Sequence, residues 1–302
     1  MTILDNIIRH KKTEVAKQKK LCSYSYLEKS SFFKNPNNSL VKRLRTSKSG
    51  IIAEYKKRSP SKPEINSSAS ITEVTKGYET AGVCGISILT DRKYFGGSLK
   101  DLNLARKTTK LPVLRKDFII DVYQIVEAKA NGADLILLIA SVLTKKQIKV
   151  FSDFAKSLGL EVLLEIHSLD ELEESIVPSV DIVGVNNRNL KSFKVNLNTS
   201  RELSDKIPKD FVKISESGID KASSVINLKD FGYQGFLVGE NFMKTDNPGK
   251  SAREFIKNIG TNAPLKEEIE SKSNDIHTEM TVEDSANNLS INDNFGLKVI
   301  DS

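Results

Sequence analysis

The sequence predicts an α/β protein: a (β/α)8 TIM barrel with an N-terminal helical extension and a disordered C-terminal tail. Three observations lead there. Eight short, β-rich apolar runs recur between residues 51 and 240. Each ends in polar residues and gives way to a stretch with helical spacing. The runs do not alternate polar with apolar, so they are buried on both faces, as parallel strands under crossover helices are. Eight such units in about 190 residues favour a closed barrel over an open doubly wound sheet. No G-x-G-x-x-G follows the first run, and no G-x-x-x-x-G-K-[ST] occurs in the chain.

Taken in order, the chain opens with two helix-like stretches, "ILDNIIRHKKTEVAKQKK" (3–20) and roughly 25–46, so residues 1–50 form an extension packing on one end of the barrel. The barrel spans 51–260. Its predicted strands are "IIAEYK" (51–56), "GISILT" (85–90), "PVLRKD" (112–117), "DLILLIA" (134–140), "EVLLEI" (161–166), "DIVGVNN" (181–187), "FVKISES" (211–217) and "GFLVGE" (235–240). Helices are expected between them, such as "DVYQIVEAKANGA" and "TKKQIKVFSDFAKSLGL", the second stopping at Gly159. From 261 to 302 the pattern dissolves. That tail is polar, with three lysines against nine acids, and is read as disordered apart from a last apolar patch, "FGLKVI".

The net charge of +7 therefore sits wholly in the body of the chain. A basic body admits nucleic acid, a membrane surface or an anionic small substrate. The cations gather in runs such as "RHKKTEVAKQKK" and "VKRLRTSK", without interleaved aromatics or a recognition motif. They read as solvated helix faces, and no nucleic-acid partner is expected. No apolar stretch is long enough to span a bilayer and none resembles a secretory signal, so the expectation is a cytoplasmic protein without a membrane partner. Cys22 and Cys84 form no disulfide framework, and Cys84 reads as a packed thiol. His10, His167 and His277 lack metal-ligand spacing, so no metal is expected. With no large apolar stripe left over, the chain is expected to be a monomer.

In a barrel the C-terminal ends of the strands carry the chemistry. Strand residues two apart share a face. Choosing the inward parity of each strand gathers Glu54, Lys56, Lys116, Glu165, Asn186 and Glu216 around one mouth, while Arg115 and Asp117 point the other way. Burying such charges costs several kcal/mol each unless they pair. Acids and ammonium groups at close range also shift one another's proton affinity, which suits proton transfer. Lys56 and Lys116, as neighbouring cations, are expected to depress each other. A second signal is glycine in "SESGI" (215–219) and "LVGE" (237–240), where the last two strands meet their helices. Backbone N–H groups in those loops can cradle a phosphate, with Ser59, Ser61 and Lys56 completing the cradle from the first loop.

In these residues the chain resembles the indole-3-glycerol phosphate synthase family. The resemblance covers roughly residues 2–258 and rests on an ordered set of stretches. They are "IIAEYKKRSPSK", "SILTDRKYFGGSLKDL", "PVLRKDFIIDVYQIVEA", "GADLILLIA", "LGLEVLLEIHSLDEL", "VGVNNRNLKSF", "SESGI" and "FLVGENFM". It implies a cofactor-free reaction in tryptophan biosynthesis. In it, 1-(2-carboxyphenylamino)-1-deoxyribulose 5-phosphate closes its ring, loses CO2 and then loses water. By motif position, Lys116 is implied as the general acid of ring closure and Glu165 as its acidic partner. Lys56 with Glu54 is implied in substrate contact and dehydration, and Asn186 and Glu216 as the remaining polar groups. Ser59, Ser217, Gly218, Gly239 and Glu240 match phosphate-binding positions. Phe95, Phe118, Leu137 and Leu190 match the apolar walls around the anthranilate ring, with Arg188 near its carboxylate. The nearest rival, phosphoribosylanthranilate isomerase, asks for a cysteine on the first strand, and none is present. A non-catalytic scaffold would be expected to have lost Lys56, Lys116 or Glu165, and all three are there.

Overall fold

Each apolar run becomes a strand lying within its predicted bounds: β1 (Ile51–Tyr55), β2 (Gly85–Leu89), β3 (Val113–Lys116), β4 (Leu135–Ile139), β5 (Glu161–Ile166), β6 (Ile182–Asn186), β7 (Val212–Glu216) and β8 (Gly235–Val238). In the computed structural model of the chain, which describes residues 2–261, every strand pairs in parallel with its neighbour in sequence. β8 returns to β1, which closes the barrel. Alternation then sorts the side chains into two layers. Ile52, Leu114, Leu137, Leu163, Ile214 and Leu237 fill the interior. Ile51, Ala53, Ile88, Val113, Ile136 and Val183 face outward beneath the helices.

Those helices are α1 (Ile3–Leu21), α2 (Tyr24–Leu27) and α3 (Leu40–Thr46) before the barrel, then α4 (Ile71–Ala81), α5 (Arg92–Phe95), α6 (Leu99–Thr108), α7 (Val122–Ala130) and α8 (Lys145–Ser157). Next come α9 (Leu169–Ser175), α10 (Asn198–Leu203), α11 (Ala222–Asp230), α12 (Glu240–Met243) and α13 (Pro248–Thr261). Their ends follow local chemistry. Thr144 and Gln147 form a capping box at the start of α8, and Gly159, with φ +74°, turns the chain away after its last residues.

The extension departs from expectation in three ways. First, 25–46 is not one helix but α2, a series of turns, and α3. Pro36 supplies no N–H and restricts the residue before it, so a helix cannot run through "NPNN". There the Asn38 backbone N–H donates to Asp134 Oδ1 at 2.8 Å, and Ser39 then caps α3. Second, the extension serves both ends of the barrel rather than one. Leu40 and Leu44 of α3 enter the interior layer at the N-terminal ends of the strands. Room for them depends on small first residues: a Cβ on Gly85 would fall 2.8 Å from Leu40 Cδ1, and one on Gly235 3.2 Å from Leu44 Cδ1. At the opposite mouth, Ile3, Leu4 and Ile7 of α1 join the wall of the cavity described below.

Third, "RHKKTEVAKQKK" is not wholly a solvated face. Lys12, Lys17 and Lys20 are exposed, but Lys11 is 1% exposed. Its ammonium lies 2.9 Å from Asp91 Oδ2, 3.0 Å from Asp117 Oδ1 and 3.1 Å from Glu14 Oε2. A helix-wheel reading cannot tell a lysine that meets buried acids from one that meets water. Beyond Thr261, the expected tail lies outside the described residues. Among the described residues no helix is long and apolar enough to cross a membrane.

Candidate active site

The inward parity of five strands does bring the charges together. Lys116 ends β3, and its ammonium lies between two carboxylates, 3.1 Å from Glu165 Oε2 of β5 and in direct contact with Glu216 Oε2 of β7. Across the mouth, Lys56 pairs with Glu54 of β1 at 2.7 Å. Asn186, at the end of β6, accepts the Arg188 backbone N–H at 3.0 Å through its side chain, which also helps to hold the Glu165 carboxyl low. Two glycines make this packing feasible. A Cβ on Gly184 would fall 2.5 Å from Glu216 Oε1, and one on Gly239 2.5 Å from Glu54 Oε1.

These groups form the floor of a cavity of about 340 Å³. Every site residue expected from the sequence lines it, and the strand order divides them into sides. Phe95 follows β2, Phe118 follows β3 and Leu137 lies on β4, with the two phenylalanine rings 6.0 Å apart. Leu190 and Arg188 come from the loop after β6, where Arg188 Nη1 donates to the Phe193 carbonyl at 3.2 Å. On the far side, β7, β8 and β1 are consecutive. Their loops bring Ser217, Gly218, Gly239, Glu240 and Ser59 to the same rim. Ser217 and Gly218 both have left-handed backbone, φ +66° and +79°. At a serine that conformation costs on the order of 1 to 3 kcal/mol, strain of a kind that clusters at functional sites. The Glu240 carboxylate is turned to Lys62 of the first loop, with which it pairs.

The electrostatics correct one expectation. Lys116 is not depressed by a neighbouring cation. Burial opposes its charge, but Glu216, Glu165 and Glu54 together hold its proton far more tightly than an ordinary lysine does. The same attraction works back on the acids unequally. Burial would raise Glu165, yet Lys116 and His167 hold it below the usual carboxylate range. Glu216 is pushed up to about 7, because burial and the Glu165 charge outweigh its contact with Lys116. One carboxylate of the pair is thus ionised and the other is half protonated near neutrality.

Several contributors escaped the sequence reading. The α1 side chains Ile3, Leu4 and Ile7 were invisible as wall because nothing in the sequence says which mouth the extension covers. Asn187, next to Asn186 but of opposite parity, donates to Ser215 Oγ and the Glu216 carbonyl, both at 2.9 Å, and to the Ser217 carbonyl at 3.1 Å. It ties the strained turn after β7 to β6. His167 has no metal-ligand spacing in the sequence, yet it shares the inward parity of Glu165 and sits beside it. That parity was the signal available.

A family model described as indole-3-glycerol phosphate synthase matches residues 4–255. The chain belongs to the indole-3-glycerol phosphate synthase family. Over 257 residues it is 46% identical to the indole-3-glycerol phosphate synthase of Bacteroides thetaiotaomicron, covering 85% of this chain and 98% of the relative. The protein of the same name from Caldanaerobacter subterraneus is 43% identical over 259 residues, with 85% and 98% covered. Among solved structures, a thiamine phosphate pyrophosphorylase from Pyrococcus furiosus superposes with a TM-score of 0.54 at 16% identity, over 74% of this chain and 98% of that one. That likeness concerns the barrel fold alone.

Proposed function

We propose that this chain converts 1-(2-carboxyphenylamino)-1-deoxyribulose 5-phosphate to indole-3-glycerol phosphate, CO2 and water, as a cytoplasmic monomer. The observation that carries the reading is the Lys116 ammonium held between Glu165 and Glu216 on the floor of a cavity with an aromatic side and a backbone-rich rim. The aromatic ring lies among Phe95, Phe118, Leu137 and Leu190, its carboxylate toward Arg188. The phosphate is taken by the rim of Ser217, Gly218, Gly239 and Ser59. Its negative charge meets Lys56 and Lys62 there, and its arrival competes with Glu240 for Lys62.

Between these anchors the ribulose carbonyl faces Lys116. In ring closure the aromatic carbon bearing the carboxylate attacks that carbonyl carbon, and electrons move onto its oxygen. A lysine held this firmly as a cation is a poor acid toward a ground-state carbonyl. It is well placed to stabilise charge on the developing alkoxide, and to protonate it once the C–C bond has made that oxygen a strong base. Glu216, which holds a proton near neutrality, can restore the proton of Lys116. Loss of CO2 then returns the electron pair to the ring and restores aromaticity. In the last step Lys56, positioned by Glu54 at 2.7 Å, protonates the departing hydroxyl while Glu165 removes a proton from the substrate. Water leaves and the indole double bond forms.

The test is incubation of the purified chain with the carboxyphenylamino-deoxyribulose phosphate, reading indole fluorescence and released CO2 together. Equal yields of both are expected. A folded chain that binds the substrate and releases neither product would confine the assignment to the fold.

A further inference from the structure

His167 is the first residue beyond β5, two positions after Glu165 and on the same face. Its ring is held from α9. Glu171 Oε2 accepts the His167 backbone N–H at 2.7 Å and lies 3.1 Å from Nδ1. Glu171 is itself fixed by its backbone N–H, which donates to Ser168 Oγ at 3.2 Å as α9 begins. With Nδ1 committed to that carboxylate, Nε2 points inward, where it has no hydrogen-bond partner among the described residues. The group it faces is Glu165 Oε1, at 3.5 Å. The other oxygen of Glu165 faces Lys116. Each oxygen of this one carboxylate is therefore turned toward a different basic group.

We propose that His167 is a positioning residue for the family reaction: as an imidazolium oriented by Glu171, it keeps Glu165 ionised and so decides which carboxylate of the site holds the proton. This rests on the role given to Glu165 above. The groups that face His167 act in one direction. Burial disfavours its charge, but Glu171 from α9, Glu165 from β5 and Glu216 from β7 together hold its proton above the ordinary histidine range. Lys116 meets the other oxygen of Glu165. Removing the His167 charge, as in a neutral variant, leaves Glu165 with Lys116 alone and raises its proton affinity. On the acid side of neutrality, where Glu216 still carries its proton, that proton is then shared with Glu165, and the removal of a substrate proton slows.

Two measurements on the full chain test this. In 15N-histidine-labelled protein, the His167 signal is assigned by its loss in His167→Gln. It is expected to titrate above 6.5, the ordinary histidine value, and to move down in Glu171→Gln. A wild-type midpoint at or below that value overturns the proposal. In the second, His167→Gln keeps an amide donor in place but carries no charge at any pH. On the acid limb its kcat is expected to fall by about tenfold, the equivalent of one pKa unit on Glu165, with KM little changed and that limb moved to higher pH. A merely structural histidine would lower the melting temperature and leave the kcat profile of the folded enzyme where it was, which also overturns the proposal. Absence of turnover in the wild type defeats the functional reading instead, while the titration still judges the contact between His167 and Glu165.

Discussion

Two buried triads of charge meet at the end of β3, centred on consecutive residues. Lys116, pointing inward, is a cation between two acids, Glu165 and Glu216. Asp117, pointing outward, is an acid between two cations, 3.0 Å from Lys11 and 3.1 Å from Arg115. The outer triad is closed by further partners. Arg115 reaches Glu127 at 2.8 Å and donates to the Gln124 carbonyl at 2.7 Å, and Lys11 also holds Asp91 and Glu14. Burial would raise Asp117, but Lys11 and Arg115 hold it far below the usual carboxylate range. It is therefore ionised at every working pH and fastens α1 to the barrel. In the inner triad the two acids repel each other across the shared lysine, so one of them takes up a proton near neutrality. Burial is comparable in both. What separates a latch from a reaction site is the balance of charge: in the outer cluster a second cation, Arg115, shares Asp117 with Lys11, while in the inner triad Lys116 alone holds Glu165 and Glu216.

The largest effect expected on this contrast is at Lys116. Lys116→Met removes the proposed proton donor, and kcat should fall on the order of a thousandfold, within the range of general acid catalysis. Circular dichroism should show the fold retained. Next is Lys11→Met, which leaves Asp91 and Asp117 buried without their shared cation. Breaking a buried pair in this way costs about 3–5 kcal/mol, read as a lower denaturation midpoint. Activity per folded molecule should drop far less than in Lys116→Met, through loosening of Ile3, Leu4 and Ile7. A denaturation midpoint unchanged by Lys11→Met would remove the outer half of the contrast.

The third effect is a pH slope. In the folded chain Glu216 protonates at about 7, against 4.5 as its ordinary value. Between those two pH values the folded state binds the extra proton, so stability is greatest at the lower end and falls as pH rises to 7. Glu216→Gln should flatten that fall in urea melts run across the window. Smallest is Lys62→Ala, since Lys62 is 53% exposed where it meets Glu240. Its cost in stability should stay below about 1 kcal/mol, as for most exposed ion pairs. A rise in KM for the phosphorylated substrate is the larger consequence.

The barrel was legible because parallel strands covered on both faces are continuous apolar runs, which a sequence displays openly. Parity along each run then sufficed to bring Glu54, Lys56, Lys116, Glu165, Asn186 and Glu216 to one floor. Parity says which face a side chain takes but not which partner waits there. For that reason the direction of the Lys116 shift was misread: the sequence offers Lys56 as its neighbour, while the fold gives it Glu216. The burial of Lys11 is hidden for the same reason, its buried acids Asp91 and Asp117 being 80 and more residues distant along the chain. The break within 25–46 was legible in "NPNN", had proline chemistry been set against helical spacing there. The seat of α1 over the mouth was not, because an amphipathic helix records that it packs and not where.

The contrast between the triads reduces to where one proton sits, and carboxyl titration can locate it. In full-length chain labelled with 13C at glutamate and aspartate carboxyls, Glu216 is assigned by its loss in Glu216→Gln and Asp117 by its loss in Asp117→Asn. Glu216 is expected to titrate near 7, while Asp117 stays ionised until the pH is well below the usual carboxylate range. Both groups titrating together near their ordinary values would contradict the distinction between the inner and outer triads, and with it the proton supply assigned to Lys116.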